Sequence, residues 1–256
     1  MKADEVYPHC SVMLNGTALS LLALLATPVY ALTGRSPLQN PPTVDLGYAT
    51  YEGTAQSNGQ NQFLGMRFAA APLGNLRFRK PQPPVKMEGV QQAKAFSPIC
   101  FGVGSGLSDS MSEDCLFLNV WAPSDATPKS KLPVFFWIQG GGYVANSNAN
   151  VSFPYFVCET ACMPIYSHSQ YNGSELVQAT GNKMVFVNIN YRVGPFGFLS
   201  SEKVREDGDL NVGLLDQRRA LEWVQEHITT VGFILSSLCF QSLTYSPSLE
   251  AIRIEL

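Results

Sequence analysis

At 256 residues, with 45% hydrophobic and only 14% charged side chains, the chain has the length and the apolar content to bury a substantial core, which excludes a disordered polypeptide. A net charge of −3 leaves no basic footprint and excludes a nucleic-acid partner. No apolar run reaches the roughly 18 residues that a bilayer span requires, so no integral membrane segment is expected.

Residues 14–31 (LNGTALSLLALLATPVYA) form a leucine-rich stretch closing on Val29, Tyr30 and Ala31. Small residues one and three positions before a cut are what signal peptidase accepts, so residues 1–31 read as a signal region cleaved after Ala31. Asp4 and Glu5 are wrong for a positive n-region, which makes Met13 the expected true start. Export implies an oxidising compartment and paired cysteines, and the chain is expected to be secreted. Of the six cysteines, Cys10 lies in the removed segment; Cys100, Cys115, Cys158, Cys162 and Cys239 remain, an odd number for a secreted chain.

After a proline-rich stretch at 36–43, residues 44–55 and 61–70 alternate as half-buried strands do. The proline-punctuated run 71–84 reads as a loop without regular structure, and 102–112 as a Gly/Ser loop. Residues 116–121 (LFLNVW) are a strand, stopped by Ala122 and Pro123. Residues 132–138 (LPVFFWI) and 183–191 (KMVFVNINY) are nearly continuous in apolar and β-branched side chains, the pattern of strands buried on both faces. Between 211 and 227 the period becomes helical, with Val212, Leu215, Ala220, Leu221, Trp223 and Val224 on one side. Buried strands alternating with helices give an α/β architecture with a largely parallel central sheet.

Gly140, Gly141 and Gly142 directly follow the buried run 132–138, at the strand end where open α/β sheets place their ligands. Glycines there let backbone N–H groups approach a developing oxyanion without side-chain crowding. By contrast, the Gly-rich run 102–106 follows no strand and opens no helix, and so is not a nucleotide-binding turn.

Four stretches, in this order, resemble the type-B carboxylesterase/lipase family, which includes cholinesterases and secreted fungal lipases. They are 63–81 (FLGMRFAAAPLGNLRFRKP), 112–123 (SEDCLFLNVWAP), 133–143 (PVFFWIQGGGY) and 187–228, which opens VNINYRVGPFGFL and closes DQRRALEWVQEHI. The resemblance implies the N-terminal part only of an α/β-hydrolase fold, over residues 32–230. It implies a hydrolase in which a serine attacks an ester carbonyl, a histidine moves the proton, and Gly141 and Gly142 donate to the oxyanion. A small-molecule or lipid ester would be the substrate, with no cofactor and no metal. The resemblance also implies a disulfide between Cys100 and Cys115, worth about 3 kcal/mol for a loop of this size. Two buried ion pairs follow from it as well, Arg77 with Glu113 and Arg192 with Asp216.

The pattern then breaks. The family's nucleophile stands in G-x-S-x-G on a turn after the helix that ends near His227, and no such motif occurs in the 256 residues. Of the three histidines, His9 precedes the signal stretch, His168 lies in an aberrant insert, and His227 is expected as a solvated helix C-terminal residue. The insert, 151–170 (VSFPYFVCETACMPIYSHSQ), interrupts an otherwise smooth continuation from YVANSNAN to YNGSELVQ. Its Val-Ser start and Gln end are what an in-frame retained intron would encode. Residues 231–256 form an unrelated tail with the same explanation. Cys158, Cys162 and His168 inside the insert are not read as a metal site. Asn172-Gly173-Ser174 is a glycosylation sequon. The expectation is a carboxylic ester hydrolase of this family that is inactive as it stands, with a non-catalytic cholinesterase-like binding module as the alternative.

Overall fold

The computed structural model describes residues 40–104, 108–127, 129–145, 147–149 and 172–230, and the backbone of two further strands at 238–242 and 252–254. The signal region 1–31 and the insert 151–170 lie outside the described residues, as does the tail apart from those two strands.

The alternating stretch expected at 44–55 is three short strands, β1 (Thr43–Asp45), β2 (Thr50–Glu52) and β3 (Thr54–Gln56). Two local features divide it. Asp45 Oδ1 accepts the Gly47 N–H at 2.9 Å and Leu46 N–H donates to Ala49 O at 3.0 Å, which closes a turn between β1 and β2. Gly53 separates β2 from β3; a Cβ there would collide with the carbonyl of Gln62 and the ring of Phe63. From β3 the chain turns at once into β4 (Gln60–Arg67). The run 71–84 is irregular apart from a single 3₁₀ turn at Gly74–Leu76. β5 (Val90–Gln92), β6 (Phe117–Pro123) and β7 (Val134–Ile138) follow. Beyond the insert come α1 (Ser174–Ala179), β8 (Val185–Ile189), α2 (Gly194–Phe198), α3 (Glu202–Asp207) and α4 (Val212–His227). The tail contributes β9 (Leu238–Ser242) and β10 (Ile252–Ile254).

A small sheet runs β1-β2-β5, and a seven-stranded sheet runs β10-β9-β7-β8-β6-β4-β3. The larger sheet is mixed, where a largely parallel one was expected. β7 is parallel to both β8 and β9, whereas β3–β4, β4–β6, β6–β8 and β9–β10 are antiparallel. Connection length explains part of this. The tight turn between β3 and β4 can only return the chain antiparallel, while β7 to β8 has room for a crossover that includes α1. The edge of β7 away from β8 is occupied by β9.

Both strands predicted as doubly buried are central. Every residue of β8 is buried, as is every residue of β6, and β7 buries all but Phe135. Phe136, Ile138, Val187 and Ile189 join Trp223, Val224 and Ala220 of α4 in the main core, which also takes in Val44 and Tyr51 from the small sheet. Opposite β7–β8, the other face of the sheet buries Trp121, Trp137 and Phe186 against Val177 of α1. A polar rung crosses this interior, with Asn119 of β6 facing Asn188 of β8 and donating to its Oδ1 at 2.7 Å. Asn119 Oδ1 in turn accepts the Gly65 N–H at 2.8 Å.

Candidate active site

β7 ends at Ile138 and delivers the chain into the three glycines. Gly141 and Gly142 take φ values of 119° and 62°, which L side chains adopt only with strain, and Tyr143 follows at 62°. Val144 N–H donates back to Gly141 O at 3.1 Å, so the segment is a closed turn. Its far side is pinned, since Gly194 N–H donates to Tyr143 O at 2.7 Å and Val103 N–H to Val144 O at 2.9 Å. The Tyr143 ring packs on Phe198 of α2 with centroids 4.9 Å apart. Gly141 and Gly142 are exposed, and among the described residues no acceptor takes either N–H. Two backbone donors that no described acceptor takes therefore sit on a held turn at the C-terminal end of a central strand.

Behind the turn, Gln139 is 1% exposed, and among the described residues its side-chain amide finds no hydrogen-bond partner at either end. Its carbonyl accepts the Tyr191 hydroxyl at 3.0 Å. Burial and the neighbouring Tyr143 push that hydroxyl up to about 12, which keeps it a neutral donor.

The structure brings Cys100 and Cys115 together as a disulfide across the Gly/Ser loop. Arg192 and Asp216 are 4% and 0% exposed. Arg192 Nε and Nη2 each reach an Asp216 oxygen at 2.7 Å, and its backbone N–H reaches Oδ2 at 3.1 Å. Complete burial pushes the Asp216 carboxyl upward, while these three donors pull it down. Arg192 Nη2 also donates to Arg79 O at 2.8 Å, which ties the 71–84 loop to the helices. Arg77 and Glu113 meet at 2.5 Å, but Arg77 is 44% exposed, so this pair is a surface contact where a buried one was expected.

His227 departs from its expected solvated place. It is 18% exposed, and its ring lies against Tyr48 and Trp223 at centroid separations of 5.6 and 5.3 Å. Burial holds its pKa below the ordinary 6.5, with Glu226 opposing and Arg219 assisting. It belongs to the seam between the small sheet and α4, where Trp223 Nε1 donates to Tyr48 Oη at 2.9 Å. Asn172 is exposed, and its Oδ1 accepts the Ser174 N–H at 3.0 Å. The Ser174 hydroxyl accepts from Asn58 Nδ2 and donates to Gln60 Oε1, both at 2.8 Å.

Some polar pairs had no signal in the sequence reading. Asp114, beside Glu113, forms a two-pronged pair with Arg67 at 2.6 Å. The clue available was two adjacent acids opposite a stretch carrying Arg67 and Arg77. Among the described residues no group of three or more His, Cys, Asp or Glu side chains is arranged to hold a metal, and no helix is long and apolar enough to cross a membrane.

Comparison with known proteins agrees with this geometry. The solved structure of Aspergillus niger EstA superposes with a TM-score of 0.68 at 47% identity, covering 78% of this chain and 35% of that one. The para-nitrobenzyl esterase of Bacillus subtilis is 37% identical over 191 residues, 72% of this chain and 34% of the esterase. Lipase 2 of Geotrichum candidum is 36% identical over 199 residues, 66% of this chain and 32% of the lipase. The chain thus spans about a third of the length of these relatives. With the carboxylesterase family model matching residues 40–232, the chain belongs to the carboxylesterase family.

Proposed function

We propose that this chain is the N-terminal portion of a secreted serine-type carboxylic ester hydrolase, that it carries the oxyanion-binding turn, and that alone it has no ester turnover. One observation supports the oxyanion role above the rest, the pair of Gly141 and Gly142 N–H groups that no acceptor among the described residues takes, on a turn pinned from two sides. Donors so held need no reorganisation as charge develops, and one such donor is worth about 10²–10³ in turnover in serine hydrolases. Without a nucleophile, however, no acyl-enzyme forms, and the 256 residues hold no G-x-S-x-G. In the intact enzyme the substrate would be a small-molecule or lipid ester.

The test is to expose the purified chain to a fluorophosphonate probe and to a p-nitrophenyl ester. The expected result is no covalent labelling and hydrolysis no faster than buffer. Labelling of any residue would overturn the inactive reading. Residues 151–170 and the tail are retained introns under this reading, so mature transcript should lack both and continue into a G-x-S-x-G frame. Asn172 would carry glycan attached before the Ser174 hydroxyl is engaged by Asn58 and Gln60. A mass shift on glycosidase treatment of the exported protein checks it.

A further inference from the structure

The loop closed by the Cys100–Cys115 disulfide reaches the glycine turn at very short range. Val103 N–H donates to Val144 O at 2.9 Å, and Phe101 lies against Phe196 of α2 with ring centroids 5.9 Å apart. Two glycines set how close the approach is. A Cβ on Gly102 would come to 2.7 Å from Ala145 Cβ and 2.9 Å from Ala145 Cα. A Cβ on Gly194 would come to 2.9 Å from Val103 Cγ2 and 3.3 Å from Val144 O, while Gly194 N–H itself donates to Tyr143 O at 2.7 Å.

Three segments far apart in sequence, 102–103, 143–145 and 194, thus meet with no room for one more carbon. Interiors packed this closely pass a displacement on. The route to the donors is short, since Val144 and Ala145 N–H both donate to Gly141 O, at 3.1 and 3.5 Å. Whatever shifts Val144 therefore shifts the Gly141 peptide group, and oxyanion donors act only when held in place before charge develops. All of these residues lie within the family-matched 40–232, clear of the insert and the tail.

We propose that Gly102 and Gly194 are positioning residues for the oxyanion donors, and that the disulfide loop sets Gly141 and Gly142 through the Val103–Val144 hydrogen bond. This rests on the oxyanion reading of the turn.

Nuclear magnetic resonance on the full chain tests it, with Gly102→Ala as the variant. Gly102 lies outside the left-handed region, so alanine there introduces the collision with Ala145 without the strain of a positive φ. The Val103 amide should exchange faster by about tenfold or more, while Val187 and Ile189 in β8 stay protected. The Gly141 and Gly142 amide resonances should move with it. Adding Ala145→Gly removes the nearer colliding atom and should return both resonances toward their original positions. A role in stability alone would lower the urea midpoint and leave the two glycine resonances in place; that result in a folded variant would overturn the proposal, as would unchanged Val103 exchange. If the variant does not fold, dithiothreitol on the unmodified chain replaces it. The same resonances should then move while β8 stays protected, and unmoved resonances would sink the proposal. These readouts do not depend on turnover. Fluorophosphonate labelling would end the inactive reading and leave the brace standing, whereas unmoved glycines would end the brace and leave that reading untouched.

Discussion

Arg192 and Asp216 carry the largest electrostatic stake among the described side chains, because neither reaches water. Removing one partner leaves the other charge buried and uncompensated, which costs about 3–5 kcal/mol. Asp216→Ala should lower the unfolding free energy in urea by that amount, a large share of the stability of a domain this size. His227 acts on pH instead. Its folded pKa lies below the ordinary 6.5, so protonation favours the unfolded chain. Its contribution is intact above that value and is lost as pH falls toward the folded pKa. Urea midpoints measured downward from neutrality should therefore decline, and His227→Gln should flatten part of that slope. The two residues were unequally legible. Arg192 and Asp216 stand inside a stretch that matches a known family. The aromatic neighbours of His227 come from positions 48 and 223, one of them far away in sequence, so nothing local marked its burial.

The Cys100–Cys115 disulfide belongs to the scale of the element, since it closes the loop that brings Val103 against the glycine turn. Its sequence separation is 15 residues, for which loop-closure entropy predicts about 3 kcal/mol. Reduction should lower the melting temperature and expose the 101–114 segment to limited proteolysis ahead of β6. Among the strands, those that sequence predicted best are β7 and β8, because burial on both faces writes itself as an uninterrupted apolar run. The division of 44–55 into three strands was not legible. It depends on a turn closed by Asp45 and on how close Gly53 comes to β4, and alternation of side chains records neither. The 71–84 loop was legible from its prolines.

For the molecule as a whole, the small sheet, α4 and the inner strands share one core, in which Val44 and Tyr51 pack with Trp223 and the β7–β8 residues. A common core predicts common unfolding, so near- and far-ultraviolet circular dichroism should give coincident urea transitions. Separate midpoints would mean that the β1-β2-β5 sheet is an independent unit. The α/β class was readable from periodicity. The mixed strand directions were not, because antiparallel neighbours such as β6 and β8 are far apart in sequence. The Asn119–Asn188 rung lies between those two strands and has a consequence for how this chain can vary. A slip of one residue would set each amide against an apolar neighbour such as Val187 or Ile189, so the rung works as a key that fits one alignment. Changing Asn188 to leucine removes the acceptor of the Asn119 amide, and changing Asn119 also takes the acceptor from the Gly65 N–H, so changing both still carries a penalty. The two positions should therefore resist substitution together among descendants of this sequence.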